Sequence, residues 1–200
     1  MAGWALALMA LYLALAFGLR VALALRTTGS TGIVSIGAAP PIERLGGALF
    51  FAGVLLGALN PLLALVDAIE PWSELDTTAA HATGFALATI GIAGTFAAQM
   101  AMGASWRIGV DPAERTELVT GGVFAHCRNP IYTFMLTAWI GFALLVPTWL
   151  VAVAGVLLIV GIEIQVRLVE EPHLLRTHGE PYRAWASRVG RFVPALGRIR

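Results

Sequence analysis

The chain has 200 residues, 58% of them hydrophobic and 12% charged, with a net charge of +1 at neutral pH. A soluble domain carries about 25% charged residues, so at a mean hydropathy of +0.80 this chain cannot cover a water-facing surface, and the lipid bilayer must be its solvent. The near-zero net charge gives no field for nucleic acid, and the single cysteine, Cys127, rules out an internal disulfide.

The first apolar run, Trp4–Leu25, is interrupted by Arg20 and is long enough to span a bilayer. It lacks the basic segment that precedes the apolar core of a signal peptide, so it is expected to stay as a transmembrane helix. A Gly/Ser/Thr-rich linker, Thr27–Gly37, follows without a phosphate-binding GxxxxGK[ST] pattern. The second and third runs are Leu45–Ile69 and Ala82–Met102. The pairs Gly53/Gly57 and Gly91/Gly94 predict close helix contacts. Runs four and five, Ile131–Val146 and Thr148–Ile164, are separated by Pro147-Thr148 and predict a tight helical hairpin. Each of its arms is short for a span of about 20 residues.

From Arg167 the chain turns charged and aromatic. Pro172 predicts a kink or end of the fifth helix. Beyond Gly179 a short amphipathic helix is expected at Glu180–Val189, with Tyr182, Trp185 and Val189 on one face, suited to docking on the membrane-facing rim. Arginines mark the cytoplasmic side: Arg20, Arg26 and Arg44, then Arg107, Arg115 and Arg128, then Arg167 onward. The loop with Asp67, Glu70, Glu74 and Asp76 holds no arginine and is placed outside, with the N-terminus. The expectation is an all-α polytopic bundle of about five transmembrane helices with a cytoplasmic amphipathic tail. It divides into residues 1–103 and a core at 104–200 that contains the hairpin 131–166. All thirteen basic residues are arginine, and with abundant Ala and Gly this composition suggests a bacterial inner membrane.

Three polar clusters break the apolar pattern. Gly121-Gly122-Val123-Phe124 leads to Arg128-Asn129-Pro130-Ile131-Tyr132 at the mouth of the hairpin. Pro130 suits the first turn of a helix, and Asn129 suits its cap. Arg128 reads either as a carboxylate-binding group or as a headgroup-facing snorkelling cation. Glu163, Arg167 and Glu170 share a face if the helix continues, with Glu163–Arg167 as an internal pair, and Glu170-Glu171 suits a cationic ligand. His81, His126, His173 and His178 are too scattered for a metal site.

Taken together, Glu117–Phe124, Arg128–Tyr132, Glu170–Leu174, His178–Tyr182 and Val189–Pro194 resemble the isoprenylcysteine carboxyl methyltransferase family and the related phospholipid N-methyltransferases. The resemblance covers about residues 102–194. It implies a pocket for S-adenosylmethionine built without a Rossmann fold, in keeping with the lack of a GxGxxG turn. Leu118, Val119 and Gly122 would offer backbone to the cofactor, Arg128, Asn129 and Tyr132 would line the pocket, and Glu170, Glu171, Leu174 and Tyr182 would close it. Arg128, Glu171 and Arg191 would be the catalytic charges, with Arg167 or Arg191 holding an anionic acceptor. Many members have His where this chain has Asn129, and Phe where it has His178, so a role that needs a titrating imidazole at 129 is lost.

Methyl transfer needs alignment more than acid–base chemistry. The expected partners are the bilayer and a lipophilic or small methyl acceptor, with no nucleic acid and no metal. Prenylcysteine is less suited to a bacterial composition than a lipid amine, a thiol or another carboxylate or phenol. A membrane NADPH reductase of the sterol type and a non-enzymatic bundle are the alternatives.

Overall fold

The computed structural model describes residues 1–34, 39–110 and 116–199. Arg115, Arg200 and residues 35–37 of the linker lie outside them. The helices are α1 (Ala2–Thr28), α2 (Pro41–Leu65), α3 (Thr78–Ala101), α4 (Pro130–Leu145), α5 (Trp149–His178) and α6 (Glu180–Ala186). The described residues contain no strand, only the isolated bridges Ile33–Ile108 and Cys127–Gly190. By length and composition α1, α2, α3 and α5 can each cross a membrane. α4, with 16 residues, rises about 24 Å, short of the roughly 30 Å hydrocarbon core.

Glycines set the helix contacts, as their spacing predicts. α3 packs along α4 and α2 along α5, so residues before and after 103 interleave in one bundle. A Cβ on Gly141 would stand 2.6 Å from the Gly84 carbonyl oxygen, and one on Gly161 2.6 Å from the Phe50 backbone nitrogen. The Trp139 ring fills the space left by Gly57, and its Nε1 would be 2.7 Å from a Cβ on Gly155, locking α2, α4 and α5 together.

The hairpin turn is anchored from outside its own sequence. The buried Asn60 on α2 donates from Nδ2 to the Val146 carbonyl at 3.0 Å and accepts from the Thr148 hydroxyl. That hydroxyl also caps α5 at the Leu150 and Val151 N–H groups. The Trp72 N–H donates to the Pro147 carbonyl at 2.7 Å. The turn therefore stands at the same end of the bundle as the acidic 66–77 loop.

α5 does not end at Pro172. A π-helical stretch, Gln165–Glu170, directly precedes it. Proline lacks an N–H and its ring crowds the carbonyl four residues back. The wider turn opens the ladder at that point, and the helix continues to Gly179, whose φ of 57° and ψ of −127° favour glycine. α1 carries a matching π stretch, Ala14–Leu19, where the Ala16 carbonyl accepts from Gln99 Nε2 on α3 at 3.1 Å. One turn further along, Arg20 is 3% exposed, with Nη2 donating to the Gly103 carbonyl at 2.6 Å and its guanidinium 4.5 Å from the Trp106 ring. It is a buried strut between α1 and the segment after α3.

The aromatic stripe of the tail docks on protein, not on the rim. Tyr182, Trp185 and Val189 form a second core with Phe124 and Ala186, against Leu118, Val119, Leu174 and Leu175. α6 ends at Ala186, and residues 189–192 run beside the start of α4. The Arg128 and Asn129 N–H groups donate to the Gly190 and Arg191 carbonyls at 2.8 and 3.0 Å, and the Thr133 hydroxyl to the Phe192 carbonyl at 2.7 Å.

Candidate active site

A cavity of about 270 Å³ opens between the bundle core and the tail core. On the bundle side its walls are Phe17, Phe50, Tyr132 and Met135, which pack on or belong to the main core. On the tail side they are Leu118, Val119, Phe124, Leu174 and Trp185. Both π stretches contribute lining, Phe17 from α1 and Gln165 and Glu170 from α5. Such wide turns re-aim side chains and recur at functional sites.

The polar lining includes three carboxylates, Glu43, Glu117 and Glu170. Tyr132 donates its hydroxyl to Glu170 Oε1 at 2.8 Å. Glu43, at the start of α2, accepts the Val110 N–H at 3.2 Å. Glu117, Gln99, Asn129, Gln165 and His173 also belong to the lining, with the basic Arg107 and Arg128. Carboxylates in a part-apolar cavity suit a cationic ligand, and the apolar tail-side wall suits a flat heteroaromatic group.

Arg128 is committed to the protein. Nη1 donates to the Ala186 and Val189 carbonyls at 3.0 and 2.6 Å, and Nη2 to Glu171 Oε1 at 2.6 Å and the Gly197 carbonyl at 3.1 Å. The other arm of the clamp is Arg191, whose Nε and Nη2 grip the two oxygens of Glu171 at 2.8 and 2.9 Å. The carboxylate that these two arginines hold is the chain's own. Glu171's hydrogen bond keeps the Arg191 guanidinium charged, above its already high range. Burial, with the nearby Glu171 charge, pushes the Tyr182 phenol up to about 12, so it stays neutral at physiological pH. Of the clamp's own side-chain atoms, Arg128 Nε is the one that is buried without a partner among the described residues.

Of the residues singled out in the sequence, Leu118, Val119, Arg128, Asn129, Tyr132, Glu170 and Leu174 line the cavity. Gly122, Glu171, Tyr182 and Arg191 stand behind it. Gly122, at a φ of +58°, opens the turn Gly122–Ala125 that carries Phe124 into the wall. Asn129 makes no cap bond to α4, and its Nδ2 donates instead to the Arg191 carbonyl at 3.1 Å. Glu163 pairs with Arg167 as the i, i+4 spacing predicts, while Glu170 turns to Tyr132. Sequence reasoning missed Glu43, Gln99 and Trp106 in the wall. The one local hint was Arg20, an ionisable group inside an apolar run, which is functional by default and which packs on Trp106.

Residues 79–181, more than half of the chain, match the phospholipid methyltransferase family. Among solved structures, the fold is similar to that of the eukaryotic intramembrane Ras methyltransferase, an isoprenylcysteine carboxyl methyltransferase. The TM-score is 0.62 at 20% identity, over 96% of this chain. The chain spans 66% of that protein's length. No curated protein matches the sequence. Neither the reductase nor the passive-bundle alternative finds support in these likenesses. With its apolar helices and its cavity between two cores, the chain is a multi-pass membrane protein that belongs to the phospholipid methyltransferase family.

Proposed function

We propose that the cavity binds S-adenosylmethionine in its tail-side half and a lipophilic or small methyl acceptor in its bundle-side half. The observation that carries this reading is the cavity's lining, which joins apolar side chains of two separate cores with the carboxylates of Glu43, Glu117 and Glu170. When bound, the cofactor supplies an electrophilic methyl on a sulfonium sulfur. Glu170, oriented by Tyr132, and Glu43 suit its cationic groups, and the Arg128 Nε–H suits its carboxylate. Leu118, Val119, Phe124 and Leu174 suit the adenine face and keep water from the reacting centre.

Glu171, Arg191 and the two terminal nitrogens of Arg128 act here as a positioning clamp. They fasten the tail so that Trp185 and Leu174 stay in the wall, which is the alignment that direct displacement requires. Residues 104–200 would then supply most of the chemistry, and residues 1–103 the acceptor wall. Phe51, which is exposed on the outer face of α2 and also lines the cavity, gives a lipid tail a path from the bilayer. The acidic loop faces outward and the C-terminus the cytoplasm, in a bacterial inner membrane.

The test is to label membranes with methyl-tritiated cofactor, with and without the protein, and to identify the labelled species. Alkali releases a carboxyl methyl ester as volatile methanol, whereas a methylated amine keeps its label. Purified protein that binds no S-adenosylhomocysteine, together with unlabelled membranes, would overturn the proposal.

A further inference from the structure

Gln99, a residue of the cavity wall, has a side-chain oxygen that the protein does not use. The residue is 4% exposed and lines the cavity. Its Nε2 donates to the Ala16 carbonyl at 3.1 Å. A carbonyl accepts only a donor, so this bond fixes which end of the amide is nitrogen. The Oε1 is buried and has no partner among the described residues. A buried acceptor left unpaired is costly, and it persists where a ligand completes it.

The position identifies the ligand. Gln99 is bonded next to Phe17 in the π stretch of α1, and Phe17, Phe50 and Met135 form the bundle-side wall. The tail-side wall, suited to the adenine, comes from the other core. We propose that Gln99 is a specificity-determining residue, whose Oε1 accepts a hydrogen bond from an N–H or O–H of the acceptor's headgroup. This rests on the methyltransferase reading above. The π stretch has a part in it, because it places the Ala16 carbonyl that orients the amide. An acceptor with no hydrogen to donate leaves Oε1 unpaired and is selected against. A site built around one hydrogen bond rejects ligands that lack it.

The experiment compares wild type with Gln99→Met, which keeps the length and removes the acceptor oxygen. Affinity for S-adenosylhomocysteine is measured by calorimetry. Methyl incorporation from tritiated cofactor is measured against increasing amounts of total membrane-lipid extract. The expected result is unchanged S-adenosylhomocysteine affinity with an apparent KM for the extract raised about tenfold or more, and a smaller change in kcat. A Met variant that is not folded, as read from its thermal unfolding in detergent, is replaced by Gln99→Asn. Its shorter side chain cannot reach both Ala16 and the acceptor, and the same rise in KM is expected. An unchanged KM overturns the inference, as does a parallel loss of S-adenosylhomocysteine affinity, which would make Gln99 a cofactor or scaffold residue. Wild-type protein that binds S-adenosylhomocysteine but labels nothing in the extract would also overturn it, while leaving cofactor binding standing.

Discussion

Removing the carboxylate of Glu171 should release the tail without unfolding the bundle. The side chains of Arg128, Glu171 and Arg191 are 1%, 10% and 15% exposed, so Glu171→Ala leaves two guanidinium groups facing each other in a nearly dry site. Breaking a buried ion cluster by removing one member costs about 3–5 kcal/mol. The loss falls on tail docking, because Arg128 holds the Ala186, Val189 and Gly197 carbonyls and Arg191 belongs to the tail itself. At about 1.4 kcal/mol per factor of ten, the open-tail population should rise roughly a hundredfold to several thousandfold. Trypsin reads that population directly, since Arg183, Arg188, Arg191 and Arg198 all lie in the tail, and cleavage follows the open fraction when reclosing is fast. The assay is the rate of tail cleavage in detergent, with intact mass marking each cut. Cleavage of Glu171→Ala at the wild-type rate, with α1 to α5 intact, would refute the clamp.

Truncation after Thr177 should leave membrane insertion intact and abolish methyl transfer, because Trp185 leaves the wall and Phe124 loses its core; membrane-fraction abundance beside turnover checks both. Reporter fusions at residue 75 and at the C-terminus should report opposite compartments, since the 66–77 loop shares its end of the bundle with the hairpin turn; the same compartment for both removes the five-crossing arrangement. Gly141→Leu should destabilise the protein by about 1–3 kcal/mol or more, as expected for overpacking, because its Cβ meets α3 backbone that cannot move aside. Thermal unfolding in detergent measures it, and an unchanged midpoint would contradict the close α3–α4 contact.

Much of the bundle was legible because hydropathy and small-residue spacing are local properties. The five apolar runs, the Pro147-Thr148 turn and the glycine contacts all follow from them. The site was legible only in part. The motif around Arg128–Tyr132 marks the mouth of the cavity, yet nothing local shows that Arg128 would spend its donors on Glu171 and on carbonyls some 60 residues away. The long-range bonds of Asn60, Gln99 and Arg20, each to a helix or turn more than 80 residues distant, carry no periodic signal. The tail stripe is amphipathic, as its spacing predicts. Its spacing cannot distinguish a lipid surface from a second protein core, and Phe124 decides for protein.

The π stretch in α5 also constrains how the gene can change. A π turn holds one residue more than the α-helical turn it replaces, so deleting a single residue from 165–170 would bring the segment back to α-helical register, with Pro172 still lacking its N–H. That deletion would rotate everything downstream by about 100° and turn Glu170 away from Tyr132 and Glu171 away from its two arginines. Among related sequences, gaps should avoid Gln165–Glu170 even where the residues themselves drift, and a one-residue indel there should mark a chain whose cavity has lost its purpose.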